Sequence, residues 1–408
     1  MAKLDVYLKD ELVGVLEESA AALSFTYDEK YLAANHPEAL SFSLPLRVEA
    51  YVGEVVENFF SNLLPDDYVR TRLGEILQIP RENTFALLEA IGGDCAGAIA
   101  LYSEGMNPQS AAMPSFRKLS DDEAVQILAD LEKRPLNIGE EGFRISGAGA
   151  QDKLVACVEQ GKILLPLNGT PSTHIIKPAI RNYPGSVENE WFSMQLARAC
   201  GLNVADCNIL TINGNRYYVT ARFDREVKDG LCCRLHQEDI CQLLNIDPKR
   251  KYEKNGGPGI AQIFALLRTL ELSAAETLEF LNRIIFNFLL GNGDAHGKNF
   301  SVLYRGGKCI LAPMYDIMNT TIYPELAKTM AMKVDGEYAF KWITRGKFVR
   351  MGEKLGLGAK LVEKSLDRMI DKITKMAPRL VAKCNRAFPS PIYEEISNNI
   401  LARITHNE

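Results

Sequence analysis

Residues 291–300 read GNGDAHGKNF and follow directly on the apolar run RIIFNFLLG at 283–291. An aspartate, a histidine, a lysine and an asparagine fall between 294 and 299, where a buried segment must end. Taken alone, such a stretch is most often a polar loop at a helix terminus, with His296 a hydrogen-bonded side chain. Its spacing supports a second reading. Asp294 precedes Asn299 by the interval of the protein-kinase catalytic loop D-x-x-x-x-N. In that loop the carboxylate orients and deprotonates the attacking hydroxyl, and the amide binds magnesium. Lys298 is placed to balance charge on a transferred phosphoryl group. A metal-hydrolase reading of Asp294 and His296 lacks the further clustered ligands that such sites use.

Working outward, the stretch FSVLYRGGKCILAPMYDI (300–317) predicts a hairpin through Gly306 and Gly307, leading to Asp316. That is where a second metal-binding aspartate is expected, and magnesium prefers the hard oxygens that Asn299 and Asp316 offer. Upstream, THIIK (173–177) predicts a strand ending at Lys177. SVENEWFSMQLARACG (186–201) predicts an amphipathic helix with Phe192, Leu196 and Ala199 on one stripe and Gly201 as its stop. Glu190 on that helix, or Glu188, is the candidate partner of Lys177, because kinases hold the α and β phosphates with a strand lysine paired to a helical glutamate. Earlier still, ISGAGAQDK (145–153) sets glycines at 147 and 149 before Lys153. Such a loop lets backbone N–H groups approach an anion. It lacks the third glycine of the dinucleotide fingerprint and does not match the Walker pattern, so alone it reads equally as a hairpin turn. The four elements in kinase order, each in its strand, helix or loop context, favour the nucleotide reading.

The chain has 408 residues, 47% hydrophobic and 24% charged, which suits two or three globular domains and excludes disorder or coiled coil. Its net charge of -5 disfavours nucleic-acid binding through bulk electrostatics. Nine scattered cysteines without C-x-x-C spacing read as reduced thiols and argue against zinc. Charged residues in the first eleven positions and the lack of a long apolar stretch lead us to expect a cytoplasmic protein that does not enter a membrane.

The expected fold class is α+β. Residues 1–117 form a small N-terminal α/β subdomain with a first hairpin turning near Asp10, further strands at PEALSFSLPL (37–46) and GGDCAGAIALYSE (92–104), and helices between. The polar segment 103–117 is the expected boundary. A two-lobed kinase-like core follows: an N-lobe at 118–224 and a mainly helical C-lobe at 225–408. Within the N-lobe, Ser120 caps a helix stopped by Pro135, FRIS (143–146) leads as a strand into the glycine loop, and NILTINGNRYYVTARF (208–223) carries an Asn-Gly hairpin signal. The glycines before the helix in YEKNGGPGIAQIFALLR (252–268) are given no catalytic role.

SFSLPL, FFSNLLPDD, FRISGAGAQDK, THIIK, NEWFSMQLA, RFDR, QEDICQ, GGPGIA, GDAHGKNFS and MYDI occur in that order. Together they resemble the HipA toxin kinases of bacterial type II toxin-antitoxin operons, over nearly the whole chain. The resemblance implies an ATP- and Mg²⁺-dependent serine/threonine protein kinase acting in growth arrest. It implies Asp294 as base and ATP contacts at Ala148, Gly149, Ala150, Gln151, Asp152, Lys153, Lys177, Arg222, Phe223, His296, Asn299, Tyr315 and Asp316. Relatives often have a glutamate just before RFDR; Ala221 stands here, so hinge contacts are expected from backbone. Ser146 is implied as the site of inhibitory autophosphorylation, which would add about -1.5 to -2 charge to a loop that must wrap phosphates. Implied partners are a HipB-like helix-turn-helix antitoxin, operator DNA reached mainly through it, and a protein substrate, by the family's usual target glutamyl-tRNA synthetase or another aminoacyl-tRNA synthetase.

Between Lys341 and Arg386 thirteen Lys or Arg face four Asp or Glu. A solvated helix face accounts for them, and a weak phosphate-contacting surface is the alternative. Two rival functions stand beside the kinase: a catalytically silent co-repressor bound to a DNA-binding antitoxin, and a small-molecule phosphotransferase.

Overall fold

The computed structural model describes residues 2–20, 22–106, 114–228 and 231–407. Residues 107–113 of the expected boundary segment lie outside the described residues. The chain divides into two compact units, 1–178 with 210–249 and 302–308, and 179–209 with 250–301 and 309–408. The fold is mixed helix and sheet, as expected.

The two larger sheets lie in the first unit. One runs Tyr51–Val52, Leu23–Tyr27, Glu11–Glu18, Ala2–Leu8, Ile99–Ser103, antiparallel throughout. Lys9 and Asp10, both at positive φ, make its first turn. The other runs Cys207–Ile212, Asn215–Ala221, His174–Lys177, Leu154–Glu159, Lys162–Leu167, Ser115–Lys118. Asn213 and Gly214 turn its hairpin at φ +47° and +80°, the left-handed pair that Asn-Gly supplies cheaply. One hydrophobic core, including Leu4, Phe25, Phe60, Leu101, Leu154 and Ile176, continues through both sheets. Helix Asp121–Asp130 opens on a full capping box between Ser120 and Glu123.

Three expectations need correction in this unit. PEALSFSLPL is not a strand: Pro37 and Pro45 bracket it, and only an isolated bridge joins Ser41 to Leu44. The Tyr27 hydroxyl replaces a ladder there, accepting the Leu40 N–H at 2.7 Å and donating to the Leu44 carbonyl. FRIS is irregular, because the Ser146 amide bonds the Asp94 carbonyl and no neighbouring strand. The Ser120 helix ends at Asp130, before Pro135, which instead opens the short 3-10 turn Pro135–Asn137.

The second unit is built on helices Ser186–Ala199, Ile260–Thr269, Ala274–Leu290, Arg345–Lys354, Ala359–Ala387 and Ile392–Asn407. The long helix Ala359–Ala387 packs on Ser186–Ala199, Ala274–Leu290, Arg345–Lys354 and Ile392–Asn407. Val362, Leu366, Met369 and Ile373 form its buried stripe, while Lys360, Lys364, Arg368, Lys375, Arg379 and Lys383 are exposed. This is the period of an amphipathic helix. Strands are more numerous beyond residue 235 than expected: Thr329–Val334 pairs with Glu337–Ala339 around Asp335 and Gly336, and His236–Asp239 forms a strand in the first unit. Among the described residues no helix is long and apolar enough to cross a membrane.

Candidate active site

The stretch 291–299 begins where helix Ala274–Leu290 ends. Ser273 and Glu276 form a capping box at the start of that helix, and Gly291 closes it in the left-handed conformation. Asn292 then turns the chain. Its Nδ2 donates to Asn287 Oδ1 at 3.0 Å, and its Oδ1 accepts the Asp294 N–H at 3.0 Å. Gly293 passes so close to the Thr329 carbonyl that a Cβ would stand 2.6 Å from it. Only glycine fits, and its N–H is held by Thr320 Oγ1 at 2.8 Å.

Asp294 emerges exposed, its Oδ1 accepting the Tyr252 hydroxyl. The Asn299 amide nitrogen donates to the Asp294 carbonyl at 2.8 Å, so the two residues are locked in one loop. His296 is buried and meets the Tyr252 ring edge-on at 4.8 Å between centroids. Lys298 is buried as well, and its carbonyl accepts the Tyr315 hydroxyl at 2.6 Å. Tyr315 OH also shares a hydrogen bond with Ser301 Oγ at 2.6 Å. That pair of bonds ties the loop to the segment bearing Asp316. Fully buried Arg283 fixes the same segment from the other side, donating to the Ala312 carbonyl at 2.7 Å and to Glu279 Oε1 at 3.2 Å. Burial lowers its pKa and Glu279 opposes that shift.

Asp316 itself is exposed and sits at φ +57°. An L-residue there is disfavoured, and such conformations collect at functional sites. Asn299 and Asp316 line one small cavity together with Asn292, Ala295, Phe300 and Tyr315. An amide oxygen and a carboxylate on one cavity wall are hard donors suited to magnesium, which takes one or two protein ligands and fills its shell with phosphate and water. The donor set therefore fits Mg²⁺. Asn299 uses its amide nitrogen on the Asp294 carbonyl, so a metal would take its oxygen.

Of the other expected site residues, the glycine loop, Lys177, Arg222 and Phe223 belong to the first unit and Glu190 to the second. Ser146 is buried, its hydroxyl donating to the Leu63 carbonyl at 2.6 Å. Gly149, at φ +101°, offers its carbonyl to the Asp66 N–H at 3.3 Å. A Cβ on Gly149 would lie 3.3 Å from the Lys153 ammonium, and one on Gly147 3.2 Å from its Cδ. The loop 147–153 is therefore folded around the Lys153 side chain, with Ala148, Ala150 and Gln151 half-buried to exposed along it. Burial raises the Asp152 pKa against the pull of Lys153. Lys177 is buried at the end of its strand, its ammonium 5.5 Å from the centre of the Tyr218 ring on the adjacent strand. Glu190 is a buried residue of helix Ser186–Ala199.

Arg222, in the expected hinge segment, is buried. Its guanidinium is committed to Asp224, Asp94, Ser172 and the Cys95 carbonyl at 2.7–3.3 Å, and its N–H to the Thr173 carbonyl at 2.9 Å. Arg225 and Arg234 join the same buried cluster through Asp94. Burial penalises the Asp94 charge, yet the three guanidiniums outweigh it and hold the carboxyl well below the usual range. Sequence reading missed Asp94, Tyr252, Asn292 and Arg283. Of these only Asp94 had a partial signal, the repeated arginines of RFDR, which ask for buried acids.

Comparisons with known proteins identify the family. Residues 4–102 match the model of the HipA N-terminal domain, and residues 145–378 that of the HipA-like C-terminal domain. Y4mE of Sinorhizobium fredii is 37% identical over 384 residues, 93% of this chain and 91% of that protein. The serine/threonine-protein kinase toxin HipA of Shewanella oneidensis is 31% identical over 396 residues, 93% of this chain and 89% of that one. A solved complex of HipA, HipB and operator DNA from Shewanella oneidensis superposes with a TM-score of 0.82 at 28% identity, covering 98% of this chain and 96% of that one. Both halves of the chain and its whole fold thus point one way, and the chain belongs to the HipA family of serine/threonine kinases.

Proposed function

We propose that this kinase transfers the γ-phosphoryl group of ATP to a serine or threonine of a protein, and that it is the toxin of a type II toxin-antitoxin pair. The observation that carries the reading is the shared cavity of Asn299 and Asp316 beside a loop that presents Asp294 to solvent. Asp294 takes the proton of the acceptor hydroxyl, and the Tyr252 hydroxyl orients its carboxylate. Asn299 and Asp316 hold Mg²⁺, which when bound neutralises charge on the phosphates. Lys177 grips the α and β phosphates. Lys298 balances the phosphoryl group. Residues Ala148 to Lys153 wrap the phosphates, Arg222 and Phe223 meet the base through main chain, and His296 and Tyr315 contact the nucleotide. The division into 1–117, 118–224 and 225–408 belongs to the same reading.

Ser146 is the regulatory acceptor in this proposal. Its hydroxyl is buried against Leu63, so modification requires that bond to break and the loop to leave its seat. A dianionic group cannot return to that site, because burying it without partners is prohibitively unfavourable. The modified loop stays out and nucleotide binding stops. By likeness to the Shewanella complex, a HipB-type antitoxin and operator DNA are the partners, and an aminoacyl-tRNA synthetase such as glutamyl-tRNA synthetase is the substrate class. The test is incubation with γ-labelled ATP and Mg²⁺, followed by mass spectrometric mapping. Label on Ser146 that falls by roughly 10²–10⁴-fold in Asp294→Asn is expected. Undiminished label in that variant, or an unlabelled protein beside labelled small metabolites, contradicts the reading.

A further inference from the structure

Asp94 lies in the GGDCAG turn before strand Ile99–Ser103, within the N-terminal region, and is 1% exposed. Its contacts go to the roots of three separate segments. Its carbonyl accepts the N–H of Ser146, where the glycine loop begins, at 3.1 Å. Its carboxylate accepts the N–H and hydroxyl of Ser172 at 3.1 and 2.5 Å, two residues before strand His174–Lys177. Arg222, in the hinge segment, donates to the same carboxylate at 3.3 Å and bridges to Ser172 Oγ at 2.8 Å. Arg225 and Arg234 complete the shell at 2.8 and 3.1 Å. Asp224 repeats the pattern on the neighbouring turn, accepting the Gly97 N–H at 2.7 Å.

A buried ionic cluster of this kind gives little net stability, because desolvation offsets the attraction, but it fixes geometry closely once every donor and acceptor is used. Here the fixed quantities are the starts of the glycine loop and the Lys177 strand, and the path of the hinge. We propose that Asp94, acting with Ser172, is a positioning residue for nucleotide, so that the N-terminal region supplies the keystone of the ATP cradle. The inference rests on the reading above that those three segments bind ATP.

The experiment measures the Kd for MgATP by calorimetry on the full chain, with the melting temperature of each variant. Ser172→Ala removes two hydrogen bonds of the cluster while leaving its charges, and is expected to weaken MgATP binding about tenfold. Ser172→Thr, which keeps the hydroxyl, is expected to bind more tightly than Ser172→Ala. Asp94→Asn is expected to weaken binding further; should it fail to fold, Ser172→Ala still decides. Ser120→Ala, a cap removed elsewhere in the first unit, lowers the melting temperature with the Kd unchanged. A wild-type chain that binds MgATP, with Ser172→Ala binding equally well, would overturn this inference alone. So would an equal loss of affinity in Ser120→Ala. A wild-type chain that does not bind MgATP overturns the kinase reading and this inference with it.

Discussion

The glycine-loop region and the catalytic loop solve opposite electrostatic problems. In the first, the charged side chains Lys153, Lys177 and Arg222 are cations, and all three are buried. In the second, the charged side chains Asp294 and Asp316 are carboxylates, and both are exposed. A buried cation must be held by close neighbours, as the Arg222 guanidinium is by Asp94 and Asp224. An exposed carboxylate keeps its hydration and needs only orientation, supplied here by Tyr252, the Asn292–Asn299 loop and the strained backbone at 316. The one region spends its contacts on shape and the other leaves its charges open to solvent.

This contrast can be broken in several ways. Arg225→Ala removes one guanidinium from the Asp94 cluster and should cost about 3–5 kcal/mol of unfolding free energy in urea titrations; a loss below 1 kcal/mol would show that the cluster is dispensable.

A second test lies in the buried strand His236–Asp239. Burial pushes the Glu238 carboxyl up to about 7, against hydrogen bonds from Ser41, Tyr304 and the Phe42 N–H. Burial pushes His236 down to about 4, while its Nε2 meets the Leu40 carbonyl at 3.0 Å. The signs oppose. Between roughly pH 4.5 and 7 the folded state holds an extra proton on Glu238, so its contribution to stability falls as pH rises. Between roughly pH 4 and 6.5 the unfolded state holds an extra proton on His236, so that contribution rises with pH. The two nearly cancel in the native chain. Glu238→Gln should therefore unmask a gain on the order of 3 kcal/mol from pH 4.5 to 6.5, read from urea midpoints; a profile parallel to wild type contradicts the pairing.

Smaller effects are expected at the catalytic loop. Tyr252→Phe removes the hydroxyl that orients Asp294 and should lower kcat by roughly tenfold with the KM for ATP unchanged; an equal change in KM would place Tyr252 in nucleotide binding instead. Asp316→Gly should raise stability by up to about 1 kcal/mol, since glycine accepts positive φ without strain. A loss of stability would mean that the aspartate side chain supports the fold.

What the sequence disclosed follows the same divide. The catalytic loop was legible because its logic is local: Asp294 and Asn299 are five residues apart, between a helix stop and a hairpin whose two glycines both turn at positive φ. The strand ending at Lys177 and the helix after it were legible for the same reason. The Asp94 cluster was not, because its partners lie 78 to 140 residues away along the chain and no period links them. Tyr252 is 42 residues from the carboxylate it orients, in a stretch whose glycines drew attention away from it. PEALSFSLPL misled because its alternation resembles a strand, whereas its two prolines and the Tyr27 hydroxyl supply another way to satisfy the backbone.

The central claim is that Asn299 and Asp316 share a divalent ion with bound ATP. Electron paramagnetic resonance of Mn²⁺, titrated with ATP into the wild-type chain and into Asp316→Asn, tests it directly. The account predicts an ATP-dependent Mn²⁺ signal in the wild type that is weakened at least tenfold in the variant. Equal Mn²⁺ binding by both proteins, or none that depends on ATP in the wild type, would contradict it.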